Sequence, residues 1–414
     1  MKLLFTPTSH LPRSAITMHT ALIHKMHQTL LIVILIFICR LSFSQTSNVI
    51  TWMPAGTWYQ IPKSTLDSAN LYPNPLPPGN TGTASVMSAW SGATYDTKRR
   101  QLIVWGGGHQ DYAGNEIYVF DMNSLSWSRT WGPTPNGSIH ALATDNCTTC
   151  YQPFDSVTTA YNKYNDGNPS ARHTYSAAAY VPDPVDAMFY PGNGFPWERG
   201  DGTNTLPLIT WLYHIGTTTW EDTGANWPLY GSDSLSTSAS AYNPNTGSIV
   251  VRGAYFIRSF NPVAKTWTTL WDDTNAGGWS TDPHAAIDPI NNRFYLLGSG
   301  HLVVFNMATL AAPNDYQVAS LSGDTEIVNV EGPGLIYDPT INKLVAYGNS
   351  AYPASVYVID PNTLFITRLS PIASNTATPA RLRLRGRGDD LTTISRRTAI
   401  SLSMRPINPF TFTS

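Results

Sequence analysis

The sequence predicts an all-β chain made of a repeated four-stranded antiparallel sheet, and three observations lead there. Its apolar runs are short, rich in β-branched and aromatic residues, and bounded by turn formers. One strand–turn–strand pattern occurs five times. Only 13% of the 414 residues are charged, while Gly (30), Pro (31), Trp (13) and Tyr (21) are plentiful. That balance suits tight turns and pleated surfaces rather than helices. The formal net charge of −2 leaves no basic field for nucleic acid or an anionic membrane.

Residues 1–44 read as an export signal. Lys25 and His27 precede ten apolar residues, Leu30–Cys39, then LSFSQ with small Ser42 and Ser44. The apolar run is too short to span a bilayer, and cleavage after Ser44 is expected. The mature chain is therefore expected to be secreted or periplasmic, with no membrane association once the signal is removed. Cys147 and Cys150 remain, as Cys-Thr-Thr-Cys, and a small-loop disulfide is the expected state. No metal or cofactor is expected, since His140 is the only nearby further ligand.

Residues 45–87 are rich in Pro and Ser, with one strand-like run at Thr57–Ile61, expected to close a ring by completing its last sheet. The first full unit spans Ser88–Arg129: SGATYD, a turn at Thr97–Arg100, QLIVW, a break at Gly106–Gly108, EIYVFD, a turn at Met122–Ser124, and a strand through Trp127. The glycines mark a place where backbone bends sharply or passes close to other backbone.

Four segments echo the first hairpin: Tyr175–Tyr190, Ser238–Val251, His284–Leu297 and Gly332–Tyr347. Asp96 is matched by Asp183, Asn243, Asp288 and Asp338 at the turns. The outer half repeats as well, from Ile117–Trp127 through Thr210–Trp220, Ile257–Trp267, Leu302–Leu310 and Val356–Ile366. Trp127, Trp220 and Trp267 each follow a buried aromatic by seven residues, and packing is expected to claim them. Residues 130–171 read as a long loop between the first two units.

The triple glycine and the spacing of Tyr118, Asp121 and Trp127 resemble the kelch motif, and residues 88–371 are similar to galactose-oxidase-type kelch propellers. The resemblance implies a kelch-type β-propeller, expected to have six blades with the C-terminal blade incomplete or out of frame. Residues 372–414 lack the strand–turn–strand pattern and crowd in arginines. Read one base earlier, codons that can encode Met404–Thr413 give NAANQPFYIYK, a turn followed by an alternating strand. A frameshifted end is one reading of this segment; a basic tail for an anionic partner is another.

In such a blade, the loop after the second strand and the lead-in to the first emerge on one face. The first class supplies His109, Asp111, Tyr112, Trp197, Glu198, Arg199, Arg252, Tyr255 and His301. The second supplies Trp90, Arg172, His173, His284 and Glu331. Aromatics stack on sugar faces while Arg, His and Asp bond hydroxyls and carboxylates, so a glycan or small-molecule ligand is the expected partner. A protein partner stays open; nucleic acid is not expected.

The competing enzyme reading is β-elimination on a uronate-containing polysaccharide. A cation (Arg172 or Arg252) would neutralise the carboxylate, and His109, His173 or Tyr255 would take the C5 proton, with Tyr112 a further catalytic candidate. A copper-radical oxidase would need two Tyr, two His and a Tyr-linked Cys. Tyr213-His214 gives only an adjacent pair, placed in the outer half of a blade.

Overall fold

The repeated hairpins fold as their alternation dictates. A computed structural model describes residues 55–62, 64–88, 91–108, 111–139, 163–192, 208–227, 238–253, 256–272, 283–310, 316–330, 332–349, 351–373 and 375. Blade one comprises β1 (Gly92–Asp96), β2 (Gln101–Trp105), β3 (Ile117–Asp121) and β4 (Ser126–Trp131). Blade two comprises β5 (Ala179–Val181), β6 (Ala187–Tyr190), β7 (Leu208–His214) and β8 (Thr219–Trp227). Blade three comprises β9 (Ala239–Asn243), β10 (Ser248–Arg252), β11 (Phe256–Asn261) and β12 (Thr266–Asp272). Blade four holds β13 (His284–Asp288), β14 (Arg293–Gly298), β15 (His301–Asn306) and β16 (Tyr316–Val318). A short strand, β17 (Ser322–Gly323), then pairs parallel to the edge of blade five, which holds β18 (Gly334–Asp338), β19 (Lys343–Tyr347), β20 (Val356–Ile359) and β21 (Phe365–Leu369).

Within each blade, consecutive strands pair antiparallel in sequence order. Between blades the first strands neighbour one another in succession: β1 with β5, β5 with β9, β9 with β13, β13 with β18. Five meandering sheets arranged about their first strands make a β-propeller. The described residues thus show five blades; the expected sixth would start beyond residue 375, outside the described residues.

The turns explain how one pattern writes five blades. The side chain of the Asp or Asn closing the first strand accepts turn N–H groups: Asp96 from Lys98 and Arg99, Asn243 from Asn245, Asp288 from Ile290, Asp338 from Thr340. The residue just before the second strand then takes positive φ in every blade: Arg100, Asp186, Gly247, Asn292 and Asn342. Blade two departs at the Asp position. Its Asp183 accepts from Lys98 Nζ of blade one at 2.9 Å.

Apolar seams join the blades. Trp105 of β2 stands edge-on to Tyr190 of β6 (5.0 Å) and tilts against Trp220 of β8 (4.8 Å). Phe189 meets Phe260 across the next seam at 5.2 Å, and Trp227 meets Trp267 at 4.9 Å. β10 is buried along its whole length, and so is β14 after Arg293, because a blade with neighbours on both sides hides both faces. Trp127, Trp220 and Trp267 pair in register with Phe120, Tyr213 and Phe260 at 5.0–5.2 Å, so packing does claim them.

Residues 55–62 and 64–88 form a strap. Thr57–Ile61 lies in no strand; it meets blade five instead through Gly56, whose carbonyl accepts from Ile372 N–H, and Trp58, whose indole donates to the Ala354 carbonyl. Farther along, the Ser64 carbonyl accepts from Trp127 Nε1 at 2.8 Å, and the Pro78 carbonyl from Ala113 N–H. The expected boundary at residue 44, the cysteine pair and the arginine-rich end lie outside the described residues.

On the turn face, Arg99 of blade one grips both Asp96 and the Asp186 carboxylate of blade two, with Lys98 at 3.4 Å from the latter. The Arg99 guanidinium holds the Asp186 carboxyl down at about 2. That is below its unfolded value of about 3.9, so the stabilisation is full above roughly pH 4 and is lost as pH falls through about 2. Asp186→Asn keeps a residue that tolerates φ 51°. It is expected to cost about 1 kcal/mol at pH 7, a difference that shrinks as pH falls through about 2 and vanishes below it. Urea unfolding of both proteins across that range checks this; a pH-independent difference contradicts the ion-pair account.

Candidate functional site

The loop face is built where the chain passes from one blade to the next. β2 ends at Trp105 and the backbone turns through Gly107 (φ 137°) and Gly108 (φ 71°), conformations glycine adopts readily. The short loop closes on itself, with Gly108 N–H donating to the Tyr112 carbonyl and Asp111 N–H to the Gly108 carbonyl, and presents Asp111. The strap reaches the same point, as Thr81 and Gly82 N–H groups donate to the Asp111 carbonyl.

Asp111 gathers three segments of chain. Thr81 Oγ1 donates to its Oδ1 at 2.8 Å, and His173 Nε2, from the lead-in to blade two, lies 3.0 Å from its Oδ2. The carboxylate is 25% exposed, whereas the His173 side chain is only 2% exposed. The ring of Tyr175 stands edge-on to the imidazole at 5.9 Å, and Tyr190 Oη donates to the His173 carbonyl. Imidazole and carboxylate fix one another's orientation, leaving one edge of the carboxylate open to solvent.

Arg172 is buried alongside. Its guanidinium donates to the Ser170 carbonyl and Oγ and, at 2.6 Å, to the Gly192 carbonyl of the loop after β6. Arg252, which ends β10, is buried with its guanidinium 5.5 Å from the centre of the Trp271 ring. The two lie along one rim. Ser176, four residues past Arg172, bridges to Ala239, and Ala239 pairs with Arg252. His284 opens β13 and His301 opens β15; His301 is exposed.

Trp90, His109, Trp197, Glu198, Arg199, Tyr255 and Glu331 lie outside the described residues. The structure therefore brings together Asp111 and His173, turns the neighbouring Arg172 to Ser170 and Gly192, and sets Arg252 on the same rim. Four of the described candidates, Tyr112, Arg172, His173 and Arg252, are buried. Two further residues were not singled out from the sequence. Thr81 gives no sequence signal. Glu116 does give one, a carboxylate directly before the apolar run Ile117–Phe120.

Glu116 is 1% exposed, and its Oε1 accepts from Tyr112 Oη (2.5 Å) and Tyr118 Oη (3.1 Å). Burial pushes its carboxyl up against the lowering effect of the two phenols, while burial and the Glu116 carboxyl push both phenols up. Tyr112 thus serves to hold Glu116 rather than reaching outward.

The Tyr213-His214 pair does not fit a copper site. His214 ends β7 on the turn face, its Nε2 bound to Glu221 Oε2 at 2.7 Å, and Tyr213 Oη meets Thr130 Oγ1 at 3.3 Å. No cluster of three or more metal-ligating side chains occurs among the described residues.

His284 offers a direct test of the rim. Its Nε2 is buried without a hydrogen-bond partner among the described residues, and burial pushes the imidazole down to about 4. The unfolded chain takes up this proton below about 6.5, so stability falls as pH drops from about 6.5 to about 4. His284→Asn is expected to flatten that part of the stability–pH curve, measured by urea unfolding at pH 7 and 4.5. Equal slopes in both proteins contradict the burial.

No protein-family model and no curated protein matches this chain. Among solved structures it is similar to a fungal alcohol oxidase of the AA5 family in complex with copper, at 14% identity and a TM-score of 0.40. The similarity covers 68% of this chain and 53% of that one, so the chain spans about half the length of that structure. At that distance the likeness says nothing of activity.

Proposed function

We propose that this protein is an exported propeller that binds a glycan on its loop face, with Asp111 as the anchoring acceptor. One observation carries the reading: a single carboxylate joins the strap, blade one and blade two, and still has an open edge. Each of its oxygens has accepted one partner and keeps capacity for a second. Paired sugar hydroxyls are the donors that match two acceptors at carboxylate spacing. Its orientation is set in advance by Thr81 and His173, which lowers the ordering cost of binding.

A second reading rests on the adjacency of Arg172 and His173. A histidine oriented by a carboxylate is the arrangement of a general base, and a neighbouring guanidinium supplies the positive field that a uronate requires. On this reading the protein is a lyase that removes the C5 proton while the C4–oxygen bond to the leaving sugar breaks, forming a C4–C5 double bond.

Both readings are tested on one panel of neutral and acidic polysaccharides. Binding is expected to weaken about tenfold on Asp111→Ala, the loss of a charged hydrogen-bond acceptor, with the melting temperature monitored in parallel. Affinity unchanged by that substitution removes Asp111 from the site. The lyase reading requires new ultraviolet absorbance from an unsaturated uronate, abolished by His173→Gln, and fails if every acidic substrate stays silent.

A further inference from the structure

The loop that carries Asp111 is gripped by two groups that touch no ligand. One is the strap. A Cβ on Gly79 would fall on the Asp111 carbonyl and on Tyr112 Cα, so strap and loop are pressed together at that point. Backbone bonds complete the contact: Ala113 N–H donates to the Pro78 carbonyl, and the Thr81 and Gly82 N–H groups donate to the Asp111 carbonyl. The other is Glu116. A Cβ on Gly114 would fall on both the Tyr112 ring and Glu116 Oε2, so these two side chains close on the glycine between them. Buried Tyr112 is thus fixed at its backbone by the strap and at its hydroxyl by Glu116. Asp111 is the residue just before it.

The hydrogen bonds around Glu116 are lopsided. Both phenols donate to Oε1, while Oε2 is buried and has no hydrogen-bond partner among the described residues. A carboxylate here would leave charge on an oxygen that nothing satisfies, a cost that a neutral carboxyl largely avoids. The groups facing it from other elements do not offset this. Arg129 of β4 is exposed, so solvent screens its attraction. Tyr72 of the strap stands edge-on to Tyr118 at 6.5 Å, and Asp67 beside it disfavours further negative charge.

We propose that Glu116 is a positioning residue for the Asp111 site. As a neutral carboxyl it holds Tyr112, and through Tyr112 it keeps loop and strap where Asp111 can accept a ligand. That role presupposes Asp111 as the anchoring acceptor.

Loss of the Glu116 proton loosens this arrangement. The new charge is relieved only by bringing water or a donor to Oε2, and Gly114 and the Tyr112 ring stand against that oxygen. Loop and strap then move apart, and Asp111 loses the orientation that Thr81 gives it. Burial raises the Glu116 carboxyl, so the unfolded chain releases this proton near about 4.3 and the folded chain at higher pH. The grip is therefore complete at acid pH and weakens as pH rises.

Glu116→Gln tests this, since it keeps an oxygen for both phenols and has no proton to lose. Amide hydrogen exchange reads the loop without any ligand. In the natural chain the protection factors of Thr81, Gly108 and Ala113 are expected to fall about tenfold between pH 6 and pH 9, while those of Val250 and Val251 in β10 stay level. In Glu116→Gln all five should match the natural values at pH 6 and stay level to pH 9. Asp111, His173 and both phenols are common to the two proteins, so the difference between them belongs to Glu116. Affinity for each polysaccharide that binds in the panel should follow the same two courses. A pH course shared by both proteins, or protection already lost at pH 6 in Glu116→Gln, overturns the proposal. Tyr112→Phe keeps the ring and removes the donor, and is expected to lower protection of the same loop amides about tenfold at pH 6. Protection unchanged by that substitution overturns the link through Tyr112. If exchange follows the expected course but no polysaccharide binds, the glycan reading falls and the hold of Glu116 on the loop stands.

Discussion

The arrangement depends on how closely the first strand of one blade approaches the lead-in to the next. Thr174 Oγ1 accepts the Gly92 N–H at 2.5 Å and donates to the Trp105 carbonyl at 3.1 Å. One hydroxyl is thereby held between the first two strands of blade one. The approach needs glycine at 92, because a Cβ there would fall inside the Tyr175 carbonyl. With Thr174 fixed, His173 is carried to Asp111 and Arg172 to the loop of Gly192. The contact between blades is thus also what assembles the rim.

Beneath that clasp, stability is supplied by the seams. Large aromatics at successive blade boundaries, Trp105 with Tyr190 and Trp220, then Phe189 with Phe260, bury apolar area on both faces of the middle blades. The turn face adds the Arg99–Asp186 grip, which joins the same two blades at the end opposite the Asp111–His173 pair. Blades one and two are therefore pinned at both ends. That rigidity gives an anchoring carboxylate its fixed orientation.

Much of the fold was legible because its signals are local. The alternation in GATYD and QLIVW, the Asp or Asn at each turn and the seven-residue aromatic spacing each specify a hairpin without reference to anything distant. The site was less legible because its contacts are long-range. Nothing near Thr81 in sequence says that it will meet Asp111. Nothing in Arg172 says that its guanidinium will be spent on a backbone carbonyl 20 residues away. The strand expected at Thr57–Ile61 illustrates the same limit. Its residues favour strand, but the edge of blade five takes up β17 from the linker after blade four. Glu116 could have been read from the sequence, since a carboxylate beside an apolar strand must find donors, and two tyrosines supply them.

The central claim is that the Thr174 clasp is what couples Asp111 to His173. The direct measurement is a double-mutant cycle on unfolding free energy, Asp111→Asn against His173→Gln, made first in the natural chain and again with Thr174→Val, which keeps the shape of the side chain and removes the hydroxyl. The account predicts a coupling of about 1 kcal/mol or more that shrinks toward zero when the hydroxyl is lost. A coupling absent from the natural chain, or unchanged without the Thr174 hydroxyl, contradicts it.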